Sequence, residues 1–262
     1  MIREHVRVRM FVVLVVGLFL GGAMCGLLGT SVEAGFVTKE TRVTNNQDNQ
    51  QGPAIYGDRI AWEDDRYDNW DILFYNIRTG KVKSVSTNAS DQRYPAIDRD
   101  RIVFQDSRHG TPDIYMYNAS TSTETRITTS TSWELRPDIQ GDVIVWYDYR
   151  NGNRNTDIYM YDLSKSRETR ITTAGGHQRY PVVYGNVIAW TDERNGNKDI
   201  YMYDLSTGNE TRITTNSSDQ EHPAIHGDRI VWHDMRNGNA DIYMYNISSG
   251  TMTQVTTKMF AQ

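Results

Sequence analysis

Short apolar segments alternate with polar, glycine-containing turns throughout residues 35–262. Ile60–Trp62 is apolar, and Asp71–Phe74 combines a polar start with bulky apolar side chains. Segments of this length, rich in β-branched and aromatic residues, predict β-strands. No stretch of these residues keeps the three-to-four-residue apolar spacing of an amphipathic helix. The pattern therefore predicts an all-β protein.

The strand pattern repeats with a period of about 42 residues. Prolines mark the start of each unit, at Pro53, Pro95, Pro137, Pro181 and Pro223. The fourth unit reads PVVYGNVIAWTDERNGNKDIYMYD and continues into a threonine-rich outer strand, Glu210–Thr214. Repeats whose central strands are apolar on both faces bury those faces by stacking on one another. We therefore predict a five-bladed β-propeller over residues 53–262, with four antiparallel strands in each blade.

The sequence contains six predicted outer strands but only five sets of inner strands. Glu40–Thr44 matches the outer-strand pattern before the first proline, and Met252–Thr256 supplies another after the fifth unit. Ring closure removes exposed strand edges, so we predict that residues 35–52 form an N-terminal latch whose strand lies beside the last blade. The alternative is a six-bladed ring that a partner chain completes.

The first 34 residues differ from the rest. Arg3, Arg7 and Arg9 precede a segment without charged residues, 10–29. This arrangement is that of an export signal, with a cleavage site after Ala34. The alternative is an uncleaved membrane anchor, because about twenty uncharged residues can span a bilayer. Both alternatives place the repeats outside the cell or on its surface, with membrane contact limited to residues 10–29.

Charge and cysteine content narrow the range of functions. The chain has a formal net charge of −5, and residues 1–34 hold three basic and two acidic residues, so the exported part is more negative still. We therefore predict no nucleic-acid partner. The single cysteine, Cys25, lies in the export segment, so the repeats form no disulfide. Asn-x-Ser/Thr sequons, which fit an exported glycoprotein, begin at Asn88, Asn118, Asn209, Asn216 and Asn246.

Three units share a turn and the strand that follows it. The turns are Asp148–Gly152, Asp192–Gly196 and Asp234–Gly238, and the next strands begin Asp-Ile-Tyr at Asp157, Asp199 and Asp241. These motifs resemble the repeat of TolB-type propellers over about residues 38–257, and they are similar to propeller repeats of archaeal cell-surface proteins. The resemblance implies a protein-binding scaffold and brings no catalytic residues. The sequence departs from the TolB pattern in its Gly-Asp turns, its five units rather than six and its lack of a companion domain.

An Asp-x-Arg motif follows the second predicted strand of every unit. The pairs are Asp64 and Arg66, Asp106 and Arg108, Asp148 and Arg150, Asp192 and Arg194, and Asp234 and Arg236. A feature shared by every blade is best explained by a structural need, a carboxylate that accepts hydrogen bonds from the loop and from arginine. The chain has no serine-hydrolase, metallopeptidase or phosphate-loop motif. We predict no catalytic residue, no metal site and no cofactor.

Residues that differ among the units are expected at one face of the ring. The loops between blades and the loops between second and third strands open on the same side, which we call the loop face. Exposed aromatic and arginine side chains there are typical of interface anchors. The predicted ligand-binding residues are Arg93, Tyr94, Trp133, Arg136, Tyr147, Tyr149, His177, Arg179, Tyr180, His222 and His233.

Three hypotheses of function follow. The first is an exported noncatalytic scaffold that binds a protein or a cell-envelope glycan through the loop face. The second is a small polysaccharide lyase or glycosidase that uses Arg179 and the histidines His177, His222 and His233. The third is a purely structural component of the envelope.

One aromatic residue recurs nine residues after each proline. The set is Trp62, Phe104, Trp146, Trp190 and Trp232. Because the position is shared by every unit, we predict that these side chains fill the layer between blades and have no role in binding.

Overall fold

The computed structural model describes residues 40–86, 88–152 and 154–257. This part of the chain forms β-strands and turns and contains no helix. Among the described segments, therefore, none is a helix able to cross a membrane. The predicted export signal or anchor, residues 1–34, lies outside the described residues.

Twenty strands form five sheets of four, and each sheet comes from one unit of the sequence. The first blade contains β1 (Gln50–Tyr56), β2 (Arg59–Asp64), β3 (Asp71–Asn76) and β4 (Lys81–Ser84), and the second contains β5 (Gln92–Asp98), β6 (Arg101–His109), β7 (Thr111–Asn118) and β8 (Thr123–Arg126). The third contains β9 (Glu134–Gln140), β10 (Val143–Asp148), β11 (Asp157–Asp162) and β12 (Arg167–Arg170). The fourth contains β13 (Gln178–Tyr184), β14 (Val187–Asp192), β15 (Asp199–Asp204) and β16 (Asn209–Arg212), and the fifth contains β17 (Gln220–His226), β18 (Arg229–Asp234), β19 (Asp241–Asn246) and β20 (Thr251–Gln254). Neighbouring strands pair antiparallel in chain order, which confirms the predicted all-β fold of five four-stranded blades.

Each blade packs through two faces, which we name by chain direction. The front face packs on the preceding blade, and the rear face packs on the following one. Between the second and third blades, Val103 and Ile114 of the rear face pack on Ile144 and Trp146 of the front face. Equivalent clusters join the first blade to the second, the third to the fourth and the fourth to the fifth. The core is therefore a series of apolar layers between blades.

The recurrent aromatic residues lie in these layers, as predicted. Trp62, Phe104, Trp146, Trp190 and Trp232 are all fully buried. Their shared position is explained by the packing, because the rings of Phe104, Trp146, Trp190 and Trp232 fill the space between their own blade and the rear face of the blade before it. Trp62 is covered by Val43 of the N-terminal segment instead.

The Asp-x-Arg pairs hold the end of the second strand. Asp192 is fully buried and accepts hydrogen bonds from the indole Nε1 of Trp190 at 2.9 Å and from Nη2 of Arg194 at 2.6 Å. The Arg194 guanidinium lies over the ring of Tyr201, with its carbon 4.3 Å from the ring centroid. The first, third and fifth blades repeat the Trp–Asp–Arg contacts. This geometry confirms the structural interpretation of the motif, since the buried carboxylate is neutralised and hydrogen-bonded within its own blade.

The position of the predicted N-terminal latch beside the last blade stays a prediction. Among the described residues, the four strands of the last sheet come from its own unit, and Val43 packs on Ile60, Trp62 and Leu73 in the first blade. The other blades show the same packing, because the apolar residue after each outer strand covers the front face of the next blade; Val85, Ile127 and Ile213 do so. The segment Glu40–Thr44 does the same for the first blade.

Replacing Val43 with serine should lower the free energy of unfolding by about 1 kcal/mol, because the lost methyl groups leave the front face of the first blade less well covered. Urea denaturation followed by tryptophan fluorescence measures this change. The matched control is Val255→Ser, since Val255 holds the equivalent position after the last outer strand and is 55% exposed. Equal shifts of the two midpoints would contradict the role given to residues 40–44.

Candidate binding site on the loop face

The residue before each recurrent proline has a left-handed backbone. Tyr94, Arg136, Tyr180 and His222 have φ values of 56°, 54°, 55° and 57°, and Gly52 has 59°. Such φ values are uncommon for residues with side chains, and a following proline restricts the backbone further. The strand register shifts at each of these points, as between Arg93 and Ala96. The resulting β-bulge places these side chains on the wall of the central channel.

This geometry corrects one expectation from the sequence. Arg93, Tyr94, Arg136, Arg179, Tyr180 and His222 were expected in the loops between blades, and Tyr147 and His233 in the loops within blades. They lie instead in strands β5, β9, β13, β17, β10 and β18. The physical reason is that the first strand of each blade begins three residues before its proline. The residues next to the proline therefore belong to the β-bulge of this strand and not to the loop before it.

Hydrogen bonds from the preceding blade hold three of the bulges. The backbone N–H of Tyr94 donates to Oε1 of Glu63 at 2.7 Å, and that of His222 donates to Oγ1 of Thr191 at 3.1 Å. The backbone N–H of Arg136 donates to the side chain of Gln105 at 3.3 Å. The acceptors lie in the second strand of the preceding blade, so the site depends on the packing of neighbouring blades.

These residues surround a cavity of about 330 Å³ at the ring axis. All five blades contribute to its wall, through the five prolines and through Gly52, Tyr94, Arg136, Asp138, Tyr180, Val182 and His222. A cavity of this size lies near the lower end of the usual range for small-ligand sites.

Aromatic and cationic groups form a continuous series around the cavity. The guanidinium carbon of Arg136 lies 3.6 Å from the ring centroid of Tyr94 and 5.5 Å from that of Tyr180. The centroids of Tyr180 and His222 are 4.4 Å apart, and those of His222 and His233 are 5.9 Å apart. Arg93 extends the series on the other side, at 5.5 Å from the ring of Tyr94.

A second branch runs outward along the third blade. The ring centroid of Tyr147 lies 5.9 Å from that of Tyr180 and 6.1 Å from that of Tyr149. Tyr149 in turn lies 6.5 Å from Trp133, and these two residues line a second cavity of about 450 Å³ with Thr111, Thr131 and Ser132. His177 and Arg179 also contact Tyr149. The structure thus connects all eleven predicted residues, and ten of them form one surface. Tyr147 is instead buried in the layer between the third and fourth blades, where it packs behind Tyr180. Binding of a ligand by the other ten stays a prediction.

Arg136 differs from the other two arginines of this surface. Arg93 donates to Oε2 of Glu63 at 2.7 Å, and Arg179 lies 3.9 Å from a carboxylate oxygen of Glu193. The Arg136 guanidinium has no ion pair or hydrogen bond within the described residues and rests on aromatic rings alone. Burial lowers the pKa of His177 and that of His222, which disfavours their charged forms. Among the described residues of this surface, Arg136 is therefore the arginine without a carboxylate partner.

Asp138 is a wall residue that the sequence analysis did not identify. It lines the axial cavity, and its carboxylate accepts a hydrogen bond from the backbone N–H of Val183 at 2.8 Å. Burial raises its pKa to about 6. The signal was present in the repeat, because the equivalent residues are Ala54, Ala96, Val182 and Ala224. The third blade thus supplies both an arginine and a carboxyl group to the cavity.

Glu134 is a second departure of the third blade from the repeat. The first strands of the other blades begin with glutamine, at Gln50, Gln92, Gln178 and Gln220. Glu134 is fully buried, accepts a hydrogen bond from the hydroxyl of Thr128 and lies 3.2 Å from Nη2 of Arg150. Burial raises the pKa of Glu134 to about 8, and the charge of Asp148 adds to the effect.

Replacing Glu134 with glutamine should stabilise the protein in a pH-dependent way. As pH rises from 4.5 to about 8, the unfolded chain loses the glutamate proton while the folded chain retains it, so wild-type stability falls across this window. Glutamine does not titrate. The variant should match wild type near pH 4 and exceed it by up to about 5 kcal/mol above pH 8, as measured by urea denaturation. A difference that is equal at both pH values would contradict the buried, protonated state of Glu134.

The described residues, 40–86, 88–152 and 154–257, show no metal centre. No three His, Cys, Asp or Glu side chains in this part of the chain are grouped as a metal ion would require.

Five four-stranded sheets around an axial channel define the β-propeller class. No protein-family model matches the sequence, and no curated protein matches it. Among solved structures, TolB from Acinetobacter baumannii is similar, with 20% identity and a TM-score of 0.64, over 82% of this chain and 56% of that one. The chain therefore spans little more than half the length of that protein.

Two further structures share the fold. A putative TolB from Agrobacterium tumefaciens is 17% identical, with a TM-score of 0.64, over 83% of this chain and 84% of that one. An oligogalacturonate lyase from Vibrio parahaemolyticus is 12% identical, with a TM-score of 0.62, over 85% of this chain and 70% of that one. At these identities the similarity shows a TolB-like propeller fold. The resemblance to archaeal cell-surface proteins stays a prediction.

Proposed function

We propose that this protein is a noncatalytic binding scaffold whose loop face binds a protein or a cell-envelope glycan. The observation that carries the proposal is the connected series of aromatic and arginine side chains around the axial cavity. Tyr94, Arg136, Tyr180 and His222 belong to it, and all four lie at left-handed bulges.

Backbone strain at four equivalent positions supports binding as the purpose of this surface. Left-handed conformations of residues with side chains cost free energy and persist only where the surroundings impose them. Here the preceding blades hold at least three of them by hydrogen bonds. A ligand thus meets side chains that are already ordered, which lowers the entropy cost of binding.

The chemistry of the surface suits a ligand with flat or apolar faces and an anionic group. Tyrosine and histidine rings pack on sugar rings or on peptide side chains, and the unpaired guanidinium of Arg136 can form two parallel hydrogen bonds with a carboxylate. Export through residues 1–34 and glycosylation of the sequons remain part of the proposal, because an envelope ligand requires the repeats to lie outside the cytoplasm.

The test is capture of a ligand from envelope extract on the immobilised protein. A ligand should be retained by the wild-type chain and lost from the variant Tyr94→Ala/Arg136→Ala/Tyr180→Ala. Protease treatment of the extract should abolish capture of a protein ligand, and periodate oxidation should abolish capture of a glycan. Equal retention by wild type and variant would contradict the proposed site.

A lyase activity is the second candidate, because an oligogalacturonate lyase shares the fold and two histidines, His222 and His233, lie near the axial cavity. Incubation with polygalacturonate tests this candidate through the ultraviolet absorbance of unsaturated products. The noncatalytic proposal predicts no turnover. Turnover that is lost in the variant His177→Ala/His222→Ala/His233→Ala would replace it with the lyase assignment.

A further inference from the structure

The rear face of the last blade is not covered as the other four are. In the first four blades the isoleucine at the centre of this face, at Ile72, Ile114, Ile158 and Ile200, is completely buried. The equivalent Ile242 is partly exposed, as is Val231 beside it. Val255 is 55% exposed, whereas its equivalents Val85 and Ile213 are 7% and 8% exposed. Among the described residues, a complete inter-blade layer is therefore missing behind the fifth blade.

The front face of the first blade is open in the part nearest the axis. Ile55 is 54% exposed, whereas the equivalent Ile139 and Val183 are each 4% exposed. The outer part of the same face, at Ile60 and Trp62, is buried with Val43. Among the described residues, the apolar cluster of the first blade includes no side chain of the fifth, and the cluster of the fifth includes none of the first.

We propose that the opening between the fifth and first blades is a docking site for a β-meander of a partner polypeptide, which supplies the three inner strands of a sixth blade. The interface between blades occurs four times in this molecule with the same chemistry. The rear face of the fifth blade has the same apolar positions as the rear faces that form these four interfaces. Ile55 holds the position that Ile139 and Val183 hold on their front faces. The occupant must therefore present an Ile-x-Trp front face to Ile242 and a small apolar rear face to the first blade.

The outer strand of this sixth blade is already present in the chain. Residues Glu40–Thr44 repeat the outer-strand sequence, and Val43 covers the first blade as Val85 and Ile127 cover the second and third. What the arrangement needs is the inner meander alone. In this chain the equivalent meander of the fourth blade spans residues 178–204.

A second copy of the chain does not offer this meander. In residues 40–257, apart from the undescribed positions 87 and 153, all five inner sets of strands are paired within their own sheets. A copy could reach the opening only by giving up one of these sheets. The shape and chemistry of the opening thus favour a partner with a free three-stranded segment of this type.

A peptide with the sequence of residues 178–204 is the probe for this site. It should bind the full chain with 1:1 stoichiometry in titration calorimetry and raise the melting temperature by about 5–10 °C at a hundredfold excess over Kd. The same segment joined after Thr257 by a flexible linker should raise the melting temperature without added peptide. This second form tests the site even if the free peptide is poorly structured.

Ile242→Asp places a charge on the rear face of the fifth blade and should weaken peptide binding at least tenfold. Met252→Asp is the matched control, because Met252 is exposed on the outer strand of the same blade but lies on its front face with Tyr245 and Ile230, so the change should leave binding unchanged. The proposal is overturned if neither the peptide nor the tethered segment stabilises the chain more than a scrambled sequence does. It is also overturned if sedimentation shows that the chain alone forms dimers which Ile242→Asp dissociates.

Discussion

Trp190→Ala should lower the free energy of unfolding by about 4 kcal/mol. The indole is fully buried, packs with Val145, Ile158 and Val183, and donates to Asp192 at 2.9 Å. Truncation removes this burial, leaves a cavity between the third and fourth blades and leaves the carboxylate without one of its donors. For a domain of this size the melting temperature should fall by about 10 °C, as measured by differential scanning calorimetry.

Two control variants test whether the loss of stability is specific to removal of a buried aromatic ring. Trp190→Phe should cost much less than the alanine change, because Phe104 fills the same position in the second blade. Trp133→Ala should leave the melting temperature unchanged, because Trp133 is 56% exposed. If Trp190→Ala melts like wild type, the inter-blade layer does not hold the ring together as described.

Arg136→Ala should weaken binding of the captured ligand about thirtyfold while changing the free energy of unfolding by no more than about 1 kcal/mol. The guanidinium has no carboxylate partner among the described residues and lies 3.6 Å from the ring centroid of Tyr94. Its removal therefore leaves no buried charge unpaired, whereas a ligand loses both a cation and a packing surface. Titration of the ligand against wild type and variant measures the change in Kd.

Arg101→Ala is the matched control, since Arg101 pairs with Asp142 at 2.7 Å at the turn end of the strands, away from the bulges. It should bind the ligand like wild type. Loss of binding in both variants, or in neither, would contradict the assignment of the loop face.

The blades were predictable because their determinants are local and repeated. Proline spacing, the Gly-Asp turns and the apolar second and third strands identify four strands for each unit. The role of Trp190 followed from its recurrence at one position. Each of these features depends on one residue and its neighbours in the sequence. They can therefore be inferred from the sequence alone.

The bulges were not predictable, because they depend on contacts between blades, whereas the surplus outer strand already raised a six-bladed ring completed by a partner chain as an alternative. The left-handed φ of Tyr94 is held by Glu63, which lies 31 residues earlier and in another sheet. The position of Glu40–Thr44 depends on which blade its valine covers, and the outer-strand pattern is the same for the first and last blades. By contrast, Asp138 and Glu134 could have been found by comparing equivalent positions of the five units.

Hydroxyl-radical footprinting of the chain with and without the captured ligand tests the binding surface most directly. Tyr94, Tyr180 and His222 should lose reactivity when the ligand is present, while Tyr56 and Val82, away from the axial cavity, should keep theirs. Protection of Tyr56 or Val82 with no change at Tyr94, Tyr180 and His222 would contradict binding at the axial cavity.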